Sequence, residues 1–440
     1  MIECPGCGGN LRFDIASAKL KCTHCDSLYD PYAFDNKTKD ADLSQYEVTV
    51  YTCPQCGGEL YSTDTDATAF CSFCGASNIL MNRVSKELRP DFIIPFKITK
   101  DDCKTAYQKL AKKSLFLPSE LKDATYIDGF RGIYMPYWSY NRDQKGHLEI
   151  EGEKTHRKGD YIYHDHYNLS GELDAYYHGV TYDASSSFDD ALSAGIAPYN
   201  VKEKAEFTPA YLSGFYADTA DVPEDTYAKE ATDFAKKGTL ENLKKSFAAY
   251  QIDDKNMEAI TSSEESVERT MFPVWFMSYR NKDRVAYAVV NGQTGKVAAD
   301  LPIDEKKYLL ASALLAVPLF LILSLFTHMT PRALTIMGVL MLIVTGILYL
   351  TRVHAIKKRE HHAEKAGLFR HVKLFPVIAM IVVSVLVFFS GSIHDELYYG
   401  CAIMSAAAIA VSFIDILKLY NVSATRALPQ FEKKGGDDCA

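Results

Sequence analysis

One four-cysteine pattern is written twice in the first 80 residues, and nothing else in the chain constrains it as strongly. Cys4-Pro5-Gly6-Cys7 precedes Cys22-Thr23-His24-Cys25, and Cys53-Pro54-Gln55-Cys56 precedes Cys71-Ser72-Phe73-Cys74, with fourteen residues between the pairs in both copies. Eight of the eleven cysteines are used in this way. A CxxC turn sets two thiolates on one side of a tight loop, and two such turns complete a tetrahedral S4 donor set with no open position. Gly8-Gly9, Gly57-Gly58 and Gly75 follow three of these knuckles, where the backbone must turn its amides back toward sulfur with positive φ. Asp26 takes the fourth equivalent position.

This donor set predicts two structural Zn2+ ions, with iron in a rubredoxin-like site as the alternative. Leu11, Phe13 and Leu20 in the first copy, and Leu60, Ala69 and Phe70 in the second, suit a short hairpin between each copy's own knuckles. Cys4, Cys7, Cys22 and Cys25 are therefore expected to hold one ion, and Cys53, Cys56, Cys71 and Cys74 the other; a cross-braced pairing is the alternative. Units this small have little core of their own, so metal is expected to supply most of their stability, about 10 kcal/mol per ion. Disulfides would need an oxidising compartment, and no secretory signal is legible before Cys4.

The knuckles CPGCGG, CTHC, CPQCGG and CSFCG resemble the zinc ribbons of general transcription factor B and the paired-knuckle module of the primosomal replication-restart helicase. The resemblance implies rubredoxin-like ribbons with cysteine-only metal sites. It does not carry helicase activity over, because no GxxxxGK[ST] phosphate loop occurs in the chain. As a whole, the layout is similar to that of a family of uncharacterised bacterial membrane proteins of Gram-positive type with N-terminal zinc ribbons.

Charge is unevenly distributed. Residues 1–84 carry six Lys/Arg against eleven Asp/Glu, residues 85–305 carry 28 against 37, and residues 306–440 carry 14 against 8. Acidic soluble parts and a basic apolar tail predict a membrane anchor bearing an acidic body.

Residues 1–35 and 45–84 are expected to form the two ribbons, with Val84–Pro90 a linker to an α+β domain over 85–305. Thr99 and Asp102 make a capping box for a helix over Lys100–Lys113, in which Cys103 is expected to be a buried thiol. Tyr134-Met135-Pro136-Tyr137-Trp138 recurs loosely as Met271-Phe272-Pro273-Val274-Trp275. Each run is followed by a polar turn and a further strand, over His147–Glu151 and Arg284–Val290. Two related strand pairs of one sheet are therefore expected, with helices over Tyr199–Lys204, Pro223–Lys237 and Leu240–Tyr250 between them. Asn291-Gly292 between Val-Val and Lys-Val reads as a hairpin turn rather than a phosphate loop. Asp189-Asp190 and Asp253-Asp254 read as helix starts. His164 and His166 share one face of a strand and make a candidate half-site for a transition metal, with a solvated strand edge as the plainer reading. No Ser/His/Asp or Cys/His constellation can be recognised.

Four apolar runs follow, at 309–326, 333–350, 374–389 and 397–417. Eighteen residues of helix span about 27 Å, close to the hydrocarbon thickness of a bilayer. A four-helix transmembrane bundle over 306–421 is therefore expected. Ala402, Ala406 and Ala410 form its small-residue packing face, and it offers a route to homo-oligomers. The loop Thr351–Lys373 carries seven Lys/Arg, whereas the two short connections hold one Arg between them. The positive-inside rule then places that loop, both termini and residues 1–305 in the cytoplasm of a multi-pass plasma-membrane protein. Residues 422–440 read as a disordered tail.

The expected fold class is thus multi-domain: two rubredoxin-like ribbons, an α+β soluble domain and a four-helix transmembrane bundle. The function expected is a membrane-anchored zinc-binding scaffold or adaptor for a protein partner. An enzyme of unknown reaction in residues 85–305, with the ribbons as an appendage, is the alternative. Nucleic-acid binding at the membrane ranks third, because the ribbons are acidic and phosphate recognition needs clustered Lys/Arg.

Overall fold

The structure, a computed structural model, describes residues 2–34, 45–62, 71–76, 81–326, 329–359, 374–391 and 394–431. Ala69, Phe70, most of the basic loop (360–373) and the end of the tail (432–440) lie outside the described residues.

The first ribbon is a separate antiparallel sheet of β1 (Leu11–Asp14), β2 (Lys19–Cys22) and β3 (Leu28–Tyr29). Apolar–polar alternation turns Leu11, Phe13 and Leu20 inward and leaves Arg12, Lys19 and Lys21 exposed. The second copy contributes β4 (Gln45–Thr52), β5 (Glu59–Ser62) and β6 (Met81–Leu88), with β4 between the other two. The expected linker after Val84 is therefore mostly strand. Its polar sequence suits the outer edge of a sheet, where charged residues guard unpaired backbone, and so it reads like a linker.

The body continues with β7 (Phe92–Ile93), α1 (Lys100–Lys113), α2 (Ala124–Ile127), β8 (Arg131–Lys158), β9 (Tyr161–Asp183), α3 (Asp190–Ile196), β10 (Ala205–Glu206), β11 (Tyr216–Ala217), α4 (Ala228–Ser246), β12 (Gln251–Ile252), β13 (Glu264–Asn281), β14 (Arg284–Asn291) and β15 (Val297–Ala299). α1 starts at the expected capping box, with Thr99 Oγ1 accepting from the Asp102 amide and the Asp102 carboxylate accepting from the Thr99 amide. Asp189 and Asp253 cap α3 and a 3-10 turn over Asp254–Ala259. The two helices expected over 223–250 are one, because α4 runs unbroken through Gly238, whose missing side chain admits the ring of Tyr177. The helix expected over Tyr199–Lys204 is only a 3-10 turn at Val201–Glu203.

Among the described residues thirteen strands form the central sheet, in the order β10-β7-β13-β8-β11-β5-β4-β6, with β9 and β12 also on β8, β14 on β13, and β15 and a later β16 (Arg426–Ala427) on β14. The two Pro-x-Trp strands are neighbours, Pro136 facing Met271 and Pro273 facing Tyr134. The run at His147–Glu151 is not a separate strand. It is the outer part of β8, which pairs with β9 from Tyr137/Asp183 out to Lys158/Tyr161 and leaves the body as a long two-stranded arm. Asn291-Gly292 opens the turn between β14 and β15, as expected.

Alternation along β13 builds a core on each face of the sheet. Met271, Trp275 and Met277 meet Leu11, Phe13 and Leu20 of the first ribbon on one side. Phe272, Val274 and Phe276 meet Phe73 and the second cysteine set on the other. The expectation of independent ribbons stabilised mostly by metal is thereby corrected. Both share the core of the 85–305 body, and the second is part of its sheet.

Four helices follow: α5 (Glu305–Phe326), α6 (Pro331–Arg359), α7 (Leu374–Phe389) and α8 (Asp395–Ser423). Among the described residues, Pro331–Ile356 and Asp395–Ser423 are long and apolar enough to cross a membrane, which gives two such helices where four were expected. α6 also runs nine residues past the expected end of its apolar run, and Arg352 lies over the Tyr420 ring of α8. The packed face of α8 is Cys401, Ser405 and Ser412 rather than the expected alanines, and Gly338 of α6 meets Ser405. Ala406 and Ala410 are exposed.

The first part of the expected disordered tail is ordered. β16 (Arg426–Ala427) pairs with Arg284–Val285 of β14, and Arg426 is held by Asp189 and Asp300. Burial of these charges together fixes the segment, which by composition alone looks unstructured.

Candidate metal centres

Four knuckles of identical hydrogen bonding position the sulfurs. In each, the amide of the first cysteine donates to the carbonyl five residues on, as in Cys4 to Gly9, Cys22 to Ser27, Cys53 to Gly58 and Cys71 to Ala76. The amide four residues on donates back to the cysteine carbonyl, from Gly8, Asp26, Gly57 and Gly75. Those four residues have φ of 73°, 58°, 73° and 68°, the left-handed region that the pattern demands. Asp26 bears this conformation while pairing with Lys21 at 3.0 Å.

The sulfurs collect within each copy, not across copies: Cys4, Cys7, Cys22 and Cys25 form one cluster and Cys53, Cys56, Cys71 and Cys74 the other, with all Sγ atoms of a cluster within 4.8 Å of one another. Sγ of Cys4 and Cys25 are 3.7 Å apart, Cys7 and Cys22 3.5 Å, and Cys53–Cys74 and Cys56–Cys71 3.7 Å each. A tetrahedral ion with metal–sulfur bonds of about 2.3 Å requires sulfur separations of about 3.8 Å. Disulfides, at about 2.05 Å, are absent from both clusters. The donor chemistry and spacing therefore fit zinc.

The two centres differ in surroundings. Cys7 and Cys25 are exposed, whereas all four cysteines of the second centre are buried. Tyr29, which sequence reasoning did not single out, brings its hydroxyl to 3.4 Å from Cys4 Sγ and is the main reason that thiol is held down to about 6. Cys53 is likewise held at about 6, first by hydrogen bonding with Cys71. Phe73, inside the last knuckle, stands edge-on to Phe276 of the sheet and to Phe431 of the tail, at 6.0 and 5.6 Å between centroids. Its place within CSFC was the available signal; no sequence signal marks Phe431.

Other candidates do not assemble. His164 and His166 lie exposed on β9, and His164 pairs with Glu153. Among the described residues, the two cysteine sets are the groups of three or more ligating side chains close enough to share an ion. Cys103 is fully buried, and burial pushes its thiol up. An open cavity of about 730 Å³ lies beside Trp138, lined by Arg89, Asp91, Glu224, Glu268 and Arg269 among others. Arg269 stacks on Trp138, Arg89 donates to the Phe207 carbonyl, and Glu268 pairs with Lys204. Among the described residues its polar lining is carboxylate and guanidinium, with no Ser, Thr, Cys or His.

Fold and site together define a protein with two Cys4 centres of zinc-binding type, set into opposite faces of a mixed α+β body that carries apolar helices. The chain is similar to the uncharacterized protein YdjG of Bacillus subtilis (strain 168), with 28% identity over 309 residues, covering 69% of this chain and 91% of the relative. No family model and no solved structure matches the chain.

Proposed function

We propose that the chain is a membrane-anchored scaffold whose zinc-stabilised cytoplasmic body docks a protein partner. The observation that carries the anchor is the outward face of α5 to α8, where Leu315, Phe320, Leu325, Leu386 and Phe389 are each at least 65% exposed. Apolar surface on that scale marks a membrane or protein contact, and the length and composition of the helices favour lipid. In this reading all four helices span the bilayer, with α5 and α7 completing the set that α6 and α8 begin.

The body is fastened to the helices at both ends. Asn421 of α8 accepts from the Ile303 amide and donates to the Ile303 carbonyl, at 2.8 and 2.9 Å. Arg284 donates to the carbonyls of Val422 and Thr425. A body held this firmly would present its surface at a fixed orientation to the membrane, which suits a docking platform. The closed S4 donor sets also favour a structural over a catalytic role for the metal, since neither leaves a position for substrate.

Cysteines introduced at Thr330 and Ser392 should react with impermeant thiol reagents in intact cells, and one at Lys365 should not. The reverse pattern would place the body outside the cell and overturn the reading. Partner capture by detergent-solubilised full chain from its own cells, lost when the body is unfolded by chelation, then tests the docking role.

A further inference from the structure

We propose that the outer edge of β9 is a dimer interface, joining two copies antiparallel, β9 to β9, about a two-fold axis at Leu169. Among the described residues, the sole strand paired with β9 is β8. From Tyr161 to Tyr177 the ladder to β8 runs without a bulge, so the opposite edge is regular as well as long. Natural edges are usually guarded by lysine, proline or bulges, because free backbone donors and acceptors template pairing with another chain. Residues 161–178 contain no Lys, Arg or Pro. The contrast with β8 is direct: beyond its pairing with β13 that strand carries Lys145, Lys154, Arg157 and Lys158. One strand of the arm carries the lysine and arginine guard and the other carries only carboxylates and imidazoles.

The sequence of the unguarded edge is complementary to its own reverse. With the axis at Leu169, the polar face sets His166 opposite the partner's Glu172, His164 opposite the partner's Asp174, and Asp160 opposite the partner's His178. Ile162 meets the partner's Tyr176, and Asn168 the partner's Ser170. Each imidazole thus gains a carboxylate across the seam, beside the intrachain pairs His164–Glu153, His178–Asp143 and His147–Glu172, and the exposed apolar residues find each other. Moving the axis by one residue sets Ile162 against the partner's Asp174 or the partner's His178. On the other face Leu169 meets the partner's Leu169, extending the apolar cluster of Leu148, Ile150, Leu173 and Phe247, in which Leu169 is only partly buried. The axis is perpendicular to the sheet, so both copies turn the same face of the shared ribbon to the same side. The interface is independent of contacts between the helices.

A residue on the axis meets its own copy, and directly opposite Cα atoms of an antiparallel pair lie about 4.5–5.5 Å apart, within disulfide range. Full-length Leu169→Cys in detergent should therefore link into dimers under mild oxidation, above the background of the native chain. Asp165→Cys and Leu173→Cys should not, since each stands about 27 Å from its own copy at 3.4 Å per residue. His166→Glu should shift the protein from dimer to monomer by light scattering, and His166→Glu with Glu172→His should restore the dimer. A monomeric native chain, no cross-link at 169, equal linking at all three positions, or a charge swap that fails to restore the dimer would each overturn the proposal.

Discussion

The backbone amide of Phe431 donates to the carbonyl of Cys56 across 2.7 Å, so the segment leaving the last helix lies against a metal knuckle near the start of the chain. The fit is close on both sides of that bond. A Cβ on Gly57 would stand 2.3 Å from the Phe431 carbonyl oxygen, and one on Gly58 would stand 2.7 Å from the Phe73 ring. Leu428 is tied to the β13–β14 turn through the Asp283 carbonyl, and Arg426 to two carboxylates. Release of the second centre should therefore be felt at the end of α8.

Two equivalent glycines separate the cost of backbone strain from the cost of losing the tail. Gly8 and Gly57 both have φ of 73°, but an added Cβ at Gly8 meets nothing within 4 Å. Gly8→Ala should cost about 1 kcal/mol from the left-handed conformation. Gly57→Ala carries the same cost and must also displace Phe431, for a total of roughly 2–4 kcal/mol by analogy with overpacked cores. Chemical denaturation of the full chain with metal bound checks the difference; equal losses would mean that the tail does not sit on the knuckle in solution.

Metal should leave in two phases. The first centre, with Cys7 and Cys25 exposed, should give up its ion to a chelator and its thiols to alkylation before the second, whose cysteines are all buried. A chromophoric chelator should count about two ions per chain by the S4 ligand sets. Phe431→Ala should accelerate the slow phase several-fold and leave the fast one unchanged.

Asp183 makes stability depend on pH in a defined direction. Burial, with Asp190 second, raises its carboxyl to about 7 from 3.8. The native state then holds a proton that the unfolded chain has lost, so stability falls as pH rises from about 4 to 7 and levels off above that. Asp183→Asn should remove this slope and stabilise the protein above pH 7 by roughly 1–4 kcal/mol. Thermal unfolding between pH 5.5 and 8, where the thiolate sites keep their metal, is the measurement. An unchanged slope would show that Asp183 ionises normally.

Arg12, Lys19 and Lys21 do share one exposed face of the first hairpin, Arg12 facing Lys21 and Lys19 facing Asp14. The face is interrupted by carboxylates, since Lys21 pairs with Asp26 and Asp14 lies beside the lysines. The full chain should therefore fail to retard DNA or RNA at about 150 mM salt, where even non-specific binders hold at ~10⁻⁴–10⁻⁶ M. The full chain is the right material, because the second ribbon folds as part of the larger sheet. Salt-sensitive micromolar binding, abolished by charge reversal at these three positions, would overturn the expectation.

Features set by neighbouring residues are legible in the sequence itself. The knuckles, the Thr99–Asp102 capping box, the caps at Asp189 and Asp253 and the turn at Asn291-Gly292 each close their hydrogen bonds within a few positions. Their geometry follows from the local residue types wherever the segment is placed. The grouping of sulfurs by copy belongs with them, since only fourteen residues separate the two knuckles of each set. What the tertiary structure alone decided depends on partners far away in the chain. The edge-like sequence after Val84 became strand because Gln45–Thr52 lay beside it, and α4 ran through Gly238 because Tyr177 filled the space. Ser405 rather than Ala406 faced Gly338 because helix rotation is set by the neighbour, not by the size of a side chain. Phe431 was ordered by Cys56 and Phe73, more than 350 residues earlier. Such contacts exist only once distant segments have been brought together, and no local pattern encodes which of them will meet.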